Sequence, residues 1–132
     1  EWVAIIHPDS PLAKLDCVTP ADLQNVPLIL PRRLSVQSEL ARWFGNTYDK
    51  LNVLFTSNLT SNSSIMAHYK LACSIAILGS VSFWNQEKIA YRPLSPVLTA
   101  TSVFAWKRKQ PFPLAAEKFI EHCKSTLQGM EN

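Results

Sequence analysis

Glycine is scarce in this chain, with three in 132 residues: Gly45, Gly79 and Gly129. None lies in the spacing of a phosphate-cradling loop, so a Gly-rich nucleotide site is excluded. No G-x-S-x-G element is present either, which removes the strand-turn-helix elbow of a serine hydrolase. The three cysteines, Cys17, Cys73 and Cys123, are odd in number and too widely spaced for a metal knuckle or a disulfide framework. Reduced thiols in a cytoplasmic protein are the simplest expectation. The histidines His7, His68 and His122 are also far apart and lack ligand spacing, so no metal is expected. His122-Cys123 is adjacent in sequence, and adjacent helix positions point apart, which argues against a base-nucleophile pair. No two carboxylates suggest acid-base work. With no nucleophile, base, metal set or cofactor loop, the chain is not expected to be an enzyme, and no cofactor is expected.

Charge is sparse as well. Charged residues make up 17 % and hydrophobic ones 47 %, a balance that builds a core and does not suit a disordered tail. The net charge of +3 is spread along the chain. Its densest point, Lys107-Arg108-Lys109, lacks interleaved aromatics and reads as a solvated strand end rather than a nucleic-acid patch. No apolar run is long enough to span a bilayer, so no membrane association is expected. The first residues, Glu1-Trp2-Val3-Ala4-Ile5-Ile6, have no basic lead-in and no small-residue cleavage site, unlike a signal peptide. They open inside a β-favouring run, so an upstream segment is expected.

What the chain does have is alternation. Trp2–Ile6 is a short apolar strand closed by His7-Pro8. Thr19-Pro20-Ala21-Asp22 offers an N-cap, a proline at the first helical position and an acid in the first turn. Val26–Pro31 is a strand bracketed by prolines. Ser35 starts a helix whose Val36, Leu40, Trp43 and Phe44 share one face, with Gly45 closing it. A strand over 51–56, a helix over 62–71, an apolar strand over 73–78, one helical turn over 81–84 and strands over 89–94 and 101–106 follow. A last helix opens at Pro113 and carries Leu114, Phe119, Ile120, Cys123 and Leu127 as its apolar stripe. This order predicts an α/β domain with a mostly parallel sheet and helices on both faces.

In such sheets ligands bind beyond the carboxyl ends of the strands. Two loops there are chemically suited. Arg32, Arg33 and Ser35 sit between a strand and a helix start, and Thr60 and Ser61 occupy the same place one unit later. Free N–H groups of a helix N-terminus, with an arginine beside them, can hold a carboxylate or phosphate. The plainer reading is that Ser35, Thr60 and Ser61 cap their helices and the arginines are solvated. Both can hold at once.

The motifs, taken in order, resemble those of LysR-type transcription regulators. His7-Pro8-Asp9-Ser10-Pro11-Leu12-Ala13 is similar to that family's H-P-x-x-P-L-A segment. Thr19-Pro20-Ala21-Asp22-Leu23 with Val26-Pro27-Leu28-Ile29 resembles its T-x-x-D-L-x-x-x-P-L-I. Arg42-Trp43-Phe44, Arg92-Pro93-Leu94-Ser95-Pro96 and Trp106-Lys107-Arg108-Lys109 continue the likeness, as do Ala115-Ala116 and Phe119 of the last helix. It spans nearly the whole chain.

The resemblance implies the second lobe of a two-lobed, periplasmic-binding-protein-like effector domain over residues 8–98. Residues 1–7 and 99–132 would then be crossover strands and the C-terminal helix of an incomplete first lobe. It implies a small metabolite or anion bound between lobes, facing Arg32, Arg33, Ser35, Thr60, Ser61 and a pocket wall near Gly79. Where the family carries V-x-x-G-x-G-I-x-x-L-P, this chain has Ala72 and Ser74 for the glycines and Gly79 for the proline, so the turn there must differ. DNA would be bound only through an N-terminal winged helix-turn-helix absent from this chain. Apolar surface on the last helix and crossovers implies self-association. A transporter's solute-binding protein, of related fold, is the competing reading.

Overall fold

The computed structural model describes residues 1–81, 84–85, 87–101, 103–107 and 111–130. They fall into two compact units, Glu1–Thr101 and Ser102–Asn132.

The first unit is built on one five-stranded sheet. Its strands are β1 (Trp2–Ile6), β2 (Leu28–Pro31), β3 (Val53–Ser57), β4 (Cys73–Ile77) and β5 (Ala90–Pro93), arranged β3-β2-β4-β1-β5. Three helices accompany them: α1 (Pro20–Leu23), α2 (Leu34–Phe44) and α3 (Thr60–His68). The expected alternation holds from β2 to β4, where the three strands run parallel. The expectation of a mostly parallel sheet needs correction, because the sheet is mixed. β1 lies between β4 and β5 and is antiparallel to both. β1 joins the sheet far from its sequence neighbours, and nothing in its own five residues specifies direction.

Alternation along β1 shows why the sheet needs helices on two faces. Trp2, Ala4 and Ile6 join Leu28, Leu30, Cys73 and Ile75 in a cluster with Leu40 and Phe44 of α2. Val3 and Ile5 point the other way, onto Ala76 and onto Ala67 of α3. Successive strand residues face opposite sides, so a strand apolar at every position must be covered twice. Val18 and Leu23, from the α1 segment, also join the first cluster, with Leu12, Ala13 and Leu94.

The sequence signals place α1 correctly. Thr19 is its N-cap and Pro20 its first residue, and the Thr19 hydroxyl bonds the Asp22 carboxylate at 2.5 Å while the Thr19 N–H donates to it at 2.8 Å. The Asp22 N–H returns a bond to the Thr19 hydroxyl at 3.4 Å, closing a capping box. The helix expected over 62–71 starts and ends earlier, because the chain turns at Lys70. The Lys70 N–H donates to Ala67 O and the Leu71 N–H to Met66 O, at 3.1 and 3.0 Å. This is a Schellman closure with Lys70 in the left-handed position, at φ +61°.

A short 3-10 turn covers Leu78–Ser80. The helical turn expected over 81–84 falls partly outside the described residues, as do Arg108 and Lys109 of the basic run.

The second unit contains α4 (Leu114–Met130). The strand expected over 101–106 is not formed by Thr101 or by Val103–Trp106. Alternating side chains make a strand only when a second strand lies alongside to take its hydrogen bonds. Instead Phe104 packs on Trp106 and Phe119, at ring-centre separations of 5.4 and 5.8 Å, and the Lys124 ammonium lies 4.9 Å from the Trp106 ring centre.

Candidate functional site

Parallel pairing of β2, β3 and β4 brings three loops to one edge of the sheet. Pro31 lies opposite Ser57 in register, and Leu28 and Ile29 lie opposite Cys73 and Ser74. Arg32 and Arg33 follow β2, Thr60 and Ser61 begin α3 just past β3, and Gly79 follows β4. The two flanking strands, β3 and β4, lie on either side of β2, and α2 and α3 lie on opposite faces. The chain therefore reverses its direction of winding at β2, the arrangement that leaves a crevice at strand ends in open α/β sheets. All six residues named from the sequence sit on this edge.

Their local geometry differs from simple capping. α2 begins at Leu34 with Arg33 in the N-cap position, and α3 begins at Thr60 with Leu59 in that position. Neither helix start has a side-chain cap. Ser35, Thr60 and Ser61 are already inside the helices, where their hydroxyls cannot take the N-cap role. The first N–H groups of both helices are thus left to solvent or to a bound group.

The two arginines have different duties. Arg32 donates through Nε to the Thr56 hydroxyl at 3.4 Å and through Nη2 to Thr56 O at 3.3 Å, while its backbone N–H bonds Ser57 O. It ties the end of β2 to the end of β3. Arg33 is exposed and, among the described residues, makes no such bond. Arg33 is the better candidate for an anion.

Gln37 was not evident from sequence. Its side-chain amide donates to Pro31 O at 3.1 Å and to Arg32 O at 3.4 Å, fixing the loop that presents Arg33. A glutamine one turn into a helix after a proline-ended strand is the only signal it leaves. A third arginine, Arg92, is occupied structurally, donating to the carbonyls of Ala13, Leu15 and Tyr91.

Gly79 is exposed, and a methyl group added there would meet no atom within 4 Å. Packing within the domain does not require glycine at this position. Two buried polar atoms, Trp2 Nε1 and Ser64 Oγ, have no hydrogen-bond partner among the described residues. Trp2 pairs with Ile77 at the end of β4, so its backbone belongs to this same edge.

Among the described residues no group of histidine, cysteine and carboxylate side chains could hold a metal, and no helix is long and apolar enough to cross a membrane.

The geometry and the motifs agree with comparison to known proteins. The model of the LysR substrate binding domain matches residues 1–128. The chain is similar in structure to HinK, a LysR family transcriptional regulator from Pseudomonas aeruginosa. Identity is 18 %, the TM-score is 0.75, and the match covers 96 % of this chain and 44 % of that one. It is similar to the regulatory domain of MetR, a LysR family regulator from N. meningitidis, at 20 % identity and TM-score 0.61, over 74 % of this chain and 48 % of that one. A third likeness is to the C-terminal domain of a probable LysR family transcriptional regulator from Rhodococcus sp., at 16 % identity and TM-score 0.64, over 92 % and 62 %. The chain thus spans about half the length of these relatives. No curated protein matches it. The family is one of effector-binding regulators and not of enzymes. The chain belongs to the LysR substrate-binding domain family, as an effector-binding regulatory domain.

Proposed function

We propose that this domain is the effector sensor of a cytoplasmic LysR-type transcription regulator and that it receives a small carboxylate- or phosphate-bearing metabolite at the edge where β2, β3 and β4 end. Residues 8–98 act as the second lobe, and the effector is held between it and a first lobe. The feature that supports this reading is that Arg33 and two helix starts without side-chain caps all follow the ends of neighbouring parallel strands. Backbone N–H groups, the positive end of each helix and a guanidinium together form an anion receptor. Ser35, Thr60 and Ser61 supply hydroxyls, Arg32 and Gln37 hold the loop in place, and Gly79 leaves room for close approach. Effector binding shifts the relative orientation of the lobes, and a separate DNA-binding domain of the same regulator reads that change.

Calorimetric titration of candidate anionic metabolites into the intact regulator tests the claim. Binding that weakens tenfold or more in Arg33→Ala supports it. Regulation that persists with no small molecule bound defeats it. Self-association follows from the same reading, since Leu114, Phe119 and Leu127 of α4 expose large apolar side chains. Sedimentation should show a dimer or larger species, and a monomer at high concentration would remove this part of the proposal.

A further inference from the structure

A second concavity lies at the opposite edge of the sheet, about 13 Å along β1 from Trp2 at a strand rise of about 3.3 Å per residue. There β1 ends at Ile6, while β2 and β4 begin. A cavity of about 290 Å³ opens between the His7–Pro11 segment, Val26-Pro27 and the turn from α3 to β4.

Its buried lining is Ile6, Ala67, Ala72 and Cys73. These are apolar or nearly so, and burial pushes the Cys73 thiol up to about 12, which keeps it uncharged. The rim is polar but electrically balanced. The Lys70 ammonium reaches across to the Asp9 carboxylate, with Nζ to Oδ2 at 2.8 Å. The His7 Nδ1 accepts the Asp9 N–H at 3.0 Å. Asp9 Oδ1 has no partner among the described residues and remains an acceptor.

The rim is also conformationally unusual. Lys70 is the only non-glycine at positive φ among the described residues, in the closing position that glycine normally fills. A glycine would turn the chain without strain but would carry no ammonium to Asp9. The lysine therefore sets one wall of the opening.

We propose that this cavity is a second ligand site, separate from the effector edge, for a small neutral aromatic molecule bearing one hydrogen-bond donor, of the phenol or indole class. Its volume is near the lower end of small-molecule pockets and suits one or two fused rings. The uncharged lining accepts the ring, and Asp9 Oδ1 accepts the donor. With Lys70 and Asp9 neutralising each other, an added ionic group on the ligand would lose hydration without a matching counter-charge.

Titration of indole into the isotope-labelled chain, followed by amide chemical shifts, tests the site. Saturable shifts at His7, Ala72 and Cys73 are expected, with a Kd on the order of 1 mM or tighter. Ala72→Leu, which fills the cavity, should weaken binding tenfold or more, and indole-3-acetate should bind at least tenfold more weakly than indole. Absence of saturable shifts, shifts at Arg33 and Gly79 instead, or equal binding of indole-3-acetate would overturn the proposal. If Ala72→Leu does not fold, the shift map and the pair of probes on the unaltered chain still decide.

Discussion

Two kinds of helix start occur in the first unit. α2 and α3 follow directly from parallel strands, run 11 and 9 residues, and begin with no side-chain cap. α1 follows an irregular segment, has only 4 residues, and begins with a complete capping box. The contrast follows from what holds each helix. An isolated helix of one turn is unstable, because nucleation fixes several dihedrals for one hydrogen bond. α1 therefore depends on local capping. α2 is held by Leu40 and Phe44 against the sheet, so its N-terminal N–H groups can stay uncapped without loss of the helix. Packing supplies the stability, and the helix start is left without a side-chain cap.

The largest effect should come from removing that packing. Leu40 is fully buried between α2 and the sheet. Leu40→Ala should lower unfolding free energy by roughly 2–5 kcal/mol in denaturant titration. The division between faces predicts where the native state changes. Amide shifts of Ile6 and Cys73, which share the Leu40 cluster, should move, and those of Ala67 and Ala76 on the other face should move less. Equal disturbance of both sets would show that the two faces of the sheet are not packed independently.

Loss of the cap should cost less. Thr19→Ala removes the hydroxyl that closes the capping box, at about 1 kcal/mol. The same box gives a pH signature. Hydrogen bonds from the Thr19 hydroxyl, then from its N–H, hold the Asp22 carboxyl below its ordinary 3.8. A depressed folded value means that the contribution is present above the unfolded value and is lost as pH falls through the folded one. Stability of the unaltered chain should therefore drop below about pH 4, and Asp22→Asn should flatten that part of the curve. Ser35→Ala, placed inside an uncapped helix, should leave stability within about 0.5 kcal/mol. A Ser35 loss as large as that of Thr19 would erase the distinction between the helix starts.

Local chemistry was legible in the sequence, and partnership across the chain was not. The α1 signals, Thr19 followed by Pro20 and Asp22, lie within four residues and act within four residues. The apolar run Trp2–Ile6 and the almost wholly apolar run 73–78 read as buried strands, since a strand covered on both faces is apolar at nearly every position. The direction of β1 depends on β4, some seventy residues away, and left no mark in Trp2–Ile6. The sequence over 101–106 alternates like a strand, yet Thr101 and Val103–Trp106 have no ladder partner among the described residues. The six candidate residues share one end of the sheet because each lies just past the end of a parallel strand. The separate duties of Arg32 and Arg33 rest on Thr56, which only the fold brings near. Lys70 was missed because the left-handed position usually announces itself by glycine.

That position yields a smaller effect of opposite sign. Lys70→Gly relieves a side chain held at φ +61° and should give a net gain of roughly 0.5–1 kcal/mol after the greater chain entropy of glycine is counted. The exposed ion pair with Asp9 is lost in the same change; such a pair contributes little and is weakened by salt, so the gain should be clearest at high ionic strength. Thermal unfolding at low and high salt separates the two contributions. Destabilisation at both would mean that the lysine side chain holds the turn in some way other than through Asp9.

The smallest effect on stability should come from Gly79, and for that reason it is the sharpest probe of the proposed effector edge. Its φ is not in the left-handed region and a Cβ would meet nothing within 4 Å, so Gly79→Ala should shift unfolding by less than about 0.5 kcal/mol. If a ligand approaches the Leu78–Ser80 turn closely, the added methyl must intrude on the ligand rather than on the protein. Anion affinity would then fall while thermal stability in the absence of ligand stays unchanged. Cavity substitutions at Ala72 predict the reverse pattern, with indole affinity lost and anion affinity kept. Measuring both ligands on both variants therefore asks whether the two edges of one sheet serve two separate binding events. A parallel loss of both affinities in either variant would reduce them to one.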